Sequence, residues 1–377
     1  MIYFDNASTS FPKPPGLSGY IKKYIEENCY NVGRGSYSKA LSSSQMVFDT
    51  RELVARFFSA KSSKNVAFTS GVTQSINLAL RGILQPGDKV LVSSMEHNAV
   101  MRPLKQLEKT GVELIFFNCN KNGEADLKDL TEKINCNPKM LVSTHASNVC
   151  GTVMPIREMG SLCKQHNTLF VVDAAQTGGV LDINTTESSV DILCFSGHKG
   201  LLSLPGIGGI VFSERATKVT EPIIFGGTGS FSDSLEMPTL LPDKFEAGTL
   251  NLPGIVGLNY SIKYINNVGI ENIYYQEKKL LNYFEDGLEE IKSIKKIGIR
   301  CENRCAVSSI NSLVLDDGVL AYRLDNEYDI MVRSGLHCAP LAHKTLGTFP
   351  TGSVRISFGH TNTSKEVDTL LGALKKL

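Results

Sequence analysis

The feature that most constrains this chain is an alternation between about residues 65 and 213, where short β-rich runs and amphipathic segments follow one another. The runs occupy 65–69, 89–94, 112–117, 139–144, 168–173, 191–195 and 208–213. Several are apolar at consecutive positions, as expected for strands covered on both faces. Segments such as 75–84 and 101–109 carry helical periodicity between them and read as crossover helices. Alternating β and α of this kind predicts an α/β fold with an open, mostly parallel sheet, which takes its ligands at the carboxyl ends of its strands.

Beyond Pro222 the pattern breaks. Residues 222–254 are rich in glycine, proline and serine, and so long an irregular stretch inside a compact protein is usually functional. Helical periodicity returns over 262–291, followed by short strands around 309–315 and 354–358, which predicts a smaller α+β unit. At 377 residues the chain exceeds the roughly 100–200 of one domain. The expected division is a large domain over 16–256 and a small one from 1–15 with 257–377.

The bulk properties exclude several classes of function. Net charge is +1 and the basic runs are short, so no nucleic-acid footprint is expected. The run 201–212, the most apolar, is broken by Pro205 and glycines and reads as a loop entering a buried strand; no membrane span or secretory leader is expected. Nine scattered cysteines point to reduced thiols in a cytoplasm. Cys301 and Cys305 form at most half of a metal site, and without a second pair at zinc-like spacing no metal is expected.

Chemistry concentrates in two stretches. The first holds Asp173-Ala-Ala-Gln176 and Ser196-Gly-His198-Lys199. Asp173 ends an apolar strand, where a carboxylate needs a cationic partner. Lys199 follows the next strand at the same sheet edge, and a lysine withdrawn from water becomes nucleophilic towards an aldehyde. Singly, each has an ordinary explanation, a solvated lysine or a helix-capping aspartate; only the combination is sharp. The second stretch is Val332-Arg333-Ser-Gly-Leu336-His-Cys338-Ala-Pro, a thiol on a glycine-containing loop able to approach a substrate. Alone, Cys338 reads equally as a structural thiol.

These motifs, spread over nearly the whole chain, resemble the class V aminotransferase family of fold-type I pyridoxal-phosphate (PLP) enzymes, and the second resembles its SufS-like, group II cysteine desulfurase and selenocysteine lyase branch. The resemblance implies PLP as cofactor, with its aldehyde on Lys199, Asp173 at the ring nitrogen, Gln176 and Asn148 near the phenolic oxygen, and His97 stacked on the ring and moving protons. It implies that the phosphate is held by the amides of Val72 and Thr73 with the Thr73 hydroxyl, by Ser196 and His198, and by Thr249 of a second subunit in a homodimer. Arg355 and Arg333 would hold the substrate carboxylate, with Asn148, Arg34 and the segments 5–8 and 31–35 lining the entrance.

The implied reaction converts L-cysteine to L-alanine with a persulfide on Cys338 that passes to a sulfur-acceptor protein. Leu336 stands where the motif has a histidine, which removes any proton relay through that imidazole. Selenocysteine lyase and class V transaminase are the enzyme alternatives; a non-catalytic sulfur-carrier scaffold is the remaining one, and it would be favoured by a missing lysine or aspartate.

Overall fold

The computed structural model describes residues 1–32, 35–298 and 302–377. A two-residue strand β1 (Ile2–Tyr3) precedes helices α1 (Leu17–Asn28) and α2 (Ser38–Phe57). The alternation then unfolds as β2 (Val66–Thr69), α3 (Val72–Arg81), β3 (Lys89–Ser93), α4 (Asn98–Glu108), β4 (Glu113–Phe117), α5 (Leu127–Lys133), β5 (Met140–Thr144) and α6 (Ile156–Gln165). It closes with β6 (Leu169–Asp173), β7 (Ile192–Ser196), β8 (Gly208–Phe212) and α7 (Glu214–Val219).

All seven runs read from the sequence are strands of one seven-stranded sheet in the order β2-β8-β7-β6-β5-β3-β4. The sheet is parallel except for β8, which runs antiparallel to β2 and β7. Successive strand residues feed opposite cores: Phe170 and Val172 join one apolar cluster, Val171 the other. That is why the runs are continuously apolar; each fully buried aliphatic or aromatic side chain contributes roughly 1.5–3 kcal/mol.

The second half differs in one respect from its periodicity. The helical pattern expected over 262–291 is two helices, α8 (Leu252–Val268) and α9 (Ile270–Leu288), parted at Gly269 with φ +89°. A left-handed residue ends a helix, and glycine takes that conformation without strain. The remaining elements are β9 (Ile294–Ile297), β10 (Val307–Ser312), α10 (Asp317–Tyr328), β11 (Ile330–Met331), β12 (Arg333–Gly335), α11 (Pro340–Leu346), β13 (Ser353–Ser357) and α12 (Ser364–Lys376).

Strands β12-β13-β10-β9 form a four-stranded antiparallel sheet. Its core gathers Phe4, Phe284, Ile310 and Ile356. The N-terminal strand β1 pairs in parallel with β11 in a separate two-stranded sheet, and Phe4 packs in the same apolar cluster as Ile310 and Ile356. The irregular stretch from 222 ends where α8 begins at Leu252; before that it holds one short helical turn, at 243–245, and exposes Phe225, Phe231 and Leu235. No helix among the described residues is long and apolar enough to cross a membrane.

Candidate active site at the carboxyl edge of the large sheet

Strand direction assembles the site. Strands β2, β5, β6 and β7 all end at one edge, so Thr69, Thr144, Asp173 and Ser196 lie side by side there. Asp173 is 3% exposed, and its Oδ1 accepts the Ala175 N–H at 2.9 Å. Among the described residues it has no ion-pair partner within bonding distance. Burial pushes its carboxyl up, against the Ala175 bond and the Lys199 charge. Burial pulls the Lys199 amine down to about 8, Asp173 opposing and Arg355 and Arg333 adding to the effect.

The turn from β2 into α3 is open on its inner side. Gly71 has φ +151°, a conformation essentially reserved for glycine. A Cβ built there would point at the Ser196 hydroxyl, 3.9 Å away. Helix α3 starts without a side-chain cap, leaving the Val72 and Thr73 N–H groups available to an anion. The buried Nδ1 of His198 also lacks a partner. An uncapped helix start, an unpaired imidazole nitrogen, a buried carboxylate short of a cation and a deprotonatable amine match the phosphate, ring nitrogen and aldehyde of PLP, so the residues fit that cofactor.

Other expected residues are engaged in ways the sequence did not suggest. Gln176 Nε2 donates to the Ala7 carbonyl at 3.0 Å, and the Asn148 amide donates to the His337 carbonyl at 2.8 Å. His97 is the N-cap of α4, its Nδ1 accepting the Ala99 N–H at 3.0 Å. Burial and four neighbouring cations hold its pKa near 4, so at neutral pH it is an uncharged imidazole whose hydrogen sits on Nε2. Thr249 is exposed; its segment is anchored by buried Glu246, which takes two bonds from Arg51 at 2.6 and 2.8 Å. Arg34 and Cys301 lie outside the described residues, and Cys305 is buried. Among the described residues no cluster suits a metal ion.

Cys338 is exposed at the mouth of a groove that His97 also lines. Its glycine-containing loop is held rather than loose: the Cys338 carbonyl accepts the Asn98 N–H at 2.7 Å, and His337 Nε2 donates to the Ser353 carbonyl at 3.1 Å. Both His337 and Cys338 have positive φ, 49° and 56°, and two consecutive non-glycine residues in that region store strain that these bonds offset. Arg333 Nη2 stands 3.8 Å from the Cys338 sulfur. Arg355, 1% exposed, gives Nη1 to the Asn148 carbonyl at 3.1 Å and Nη2 to Asp5 and Ser8, each at 2.7 Å.

One buried group escaped the sequence reading. Glu96, beside His97, accepts the Thr144 N–H at 2.8 Å and the Ser93 hydroxyl, and burial raises its pKa to about 8. A glutamate at the end of an apolar strand, next to a site histidine, was the available signal.

The family model described as aminotransferase class-V matches residues 2–370. A probable cysteine desulfurase of Pyrococcus abyssi is 36% identical over 388 residues, covering 100% of this chain and 94% of that protein. Another, of Methanothermobacter thermautotrophicus, is 33% identical with the same coverage. Among solved structures, the apo cysteine desulfurase of Thermococcus onnurineus superposes with TM-score 0.94 at 34% identity, covering 100% of this chain and 94% of that one. An Escherichia coli cysteine desulfurase in its S-sulfonic acid form gives TM-score 0.88 at 27% identity, covering 99% and 94%.

Proposed function

The chain belongs to the aminotransferase class-V family, whose members depend on PLP, and we propose that it is a cysteine desulfurase that moves the sulfur of L-cysteine onto Cys338. The observation that carries the sulfur step is the placement of an exposed thiol 3.8 Å from Arg333, whose strand neighbour is the buried Arg355, both guanidinium charges acting on Lys199. Bound PLP supplies an aldehyde for the substrate amine and a ring that stabilises negative charge on the adjoining carbon.

The chain's own residues do the rest. Asp173 would keep the ring nitrogen protonated; Val72, Thr73, Ser196 and His198 would take the phosphate, and Thr249 of a second copy would complete that shell in a homodimer. Arg355 and Arg333 hold the substrate carboxylate, a task suited to planar forks. Lys199, as a neutral amine, would take the substrate α-proton and return a proton to carbon. Uncharged His97 donates from Nε2. The Cys338 thiolate attacks the substrate sulfur: an S–S bond forms, the C–S bond breaks, and its electron pair with a proton ends on the methyl group of alanine. A nucleophile of an acceptor protein then attacks the outer sulfur of the persulfide at the exposed mouth, the S–S bond breaks, and Cys338 is returned as a thiolate.

Incubating the PLP-loaded protein with L-cysteine should yield alanine and a Cys338 peptide heavier by one sulfur atom, with the peptide shift absent in Cys338→Ala. PLP-loaded protein that yields neither product overturns the reading.

A further inference from the structure

Arg355, proposed above to hold the substrate carboxylate, already has both terminal nitrogens engaged within the chain. Both hydrogens of Arg355 Nη2 are committed, to Asp5 Oδ1 and to Ser8 Oγ, each at 2.7 Å. Ser8 in turn receives Arg333 Nη1 at 2.9 Å and donates its own hydrogen to Asp5 Oδ1 at 2.8 Å. A hydroxyl has one hydrogen and two lone pairs, so Ser8 is saturated. The buried Nε of Arg355 has no partner, yet it cannot make a two-point contact with a carboxylate unless Nη2 gives up one of its acceptors.

We propose that Asp5 is a resident carboxylate for Arg355 and that substrate binds by exchange, its carboxylate replacing that of Asp5 on Nη2. This rests on Arg355 as the carboxylate-receiving residue. The physical reason is charge compensation. Arg355 is 1% exposed and faces a second guanidinium, Arg333; a buried cation with no counter-ion is strongly unfavourable. Substrate comes and goes with every turnover, so a permanent anion is needed for the interval between. Asp5 is suited to leave and return: its side chain is 21% exposed, and the Ser8 hydroxyl retains it when Nη2 lets go.

The backbone need not move. The strand-like bridge from Asp5 to Ser357 and the Tyr3 hydroxyl bonds to the Asp5 and Thr9 carbonyls hold it. Asp5 is therefore a specificity-setting residue: it sets how strongly an incoming anion must bind to displace it.

The test uses PLP-loaded enzyme and propionate, a carboxylate without an amine, titrated by calorimetry. Asp5→Asn, nearly isosteric but uncharged, should bind propionate about tenfold more tightly, the effect of losing one charge-assisted competitor. KM for L-cysteine should fall by a similar factor, and L-alanine should become a stronger product inhibitor. Asp5→Glu, which keeps the charge, should return propionate affinity towards wild type. Unchanged or weaker propionate binding in Asp5→Asn overturns the exchange. So does failure of both Asp5→Asn and Asp5→Ser to fold, because a carboxylate that must release Arg355 each cycle cannot be what holds the fold. Arg355→Lys separates the two levels: if it leaves propionate binding intact, the carboxylate assignment itself fails; if it abolishes binding while Asp5→Asn changes nothing, only the exchange fails.

Discussion

At the scale of single residues, the site works by keeping ionisable groups away from their ordinary charge states. Lys199 and Asp173 are pushed in opposite directions by the same cause, burial, so each is brought towards neutrality until a cofactor arrives to share the charge. For Lys199 the sign is simple: only the free base attacks an aldehyde, and the free-base fraction grows as pH rises through about 8, where it reaches half. PLP uptake by the stripped protein should accelerate with pH through that point, half-maximal there, and level off only well above it, followed by the growth of the cofactor's visible absorbance. A rate that falls over this range would contradict the assignment. Both residues were legible because Asp173 ends a strand and Lys199 closely follows the next one, and the end of an apolar run is marked in the sequence itself. The Asp5–Arg355 pair was not, since the two stand 350 positions apart and nothing local to either names the other.

At the scale of elements, helix starts and one strap place the reactive atoms. Helix α4 begins on His97, whose ring is both its cap and a wall of the site. The two roles can be separated, because asparagine caps well and alanine does not. In unfolding by denaturant, His97→Ala should lose about 1 kcal/mol while His97→Asn stays close to wild type. Both should lose turnover. If both variants were equally unstable, the cap would not be what the ring contributes to the fold. The strap from Asp5 to Lys13 ends on one atom: the His198 carbonyl, next to Lys199, receives Ser10 N–H, the hydroxyls of Thr9 and Ser10, and Lys13 Nζ at 2.9–3.1 Å. Segment 5–8 was expected at the substrate entrance. Its grip on Arg355 and on the peptide preceding Lys199 was invisible, because hydrogen bonds to a backbone carbonyl leave no signature in residue type.

At the scale of the whole molecule, the small antiparallel unit is locked to the large sheet by buried polar contacts. Arg304, 2% exposed, spans from the Cys150 carbonyl at 2.9 Å to Glu285 at 2.8 Å, and Glu285 also takes Ser308 at 3.1 Å and Lys296 at 3.3 Å. Removing one partner strands a buried charge, so Glu285→Ala should cost about 3–5 kcal/mol in unfolding free energy. A loss below 1 kcal/mol would show the pair to be dispensable. By itself the sequence determined the alternation, the seven strands of the large sheet to within one residue at each end, and the cofactor and thiol motifs, because strand periodicity, apolar runs and short motifs are properties of neighbouring residues. Only the tertiary structure decided that β8 runs antiparallel, that His97 carries its hydrogen on Nε2, that the Cys338 turn is held in left-handed conformations, and that Arg355 already has a carboxylate. Each of these depends on which distant groups compete for one donor or one edge, and that competition is settled only when the sheets are stacked.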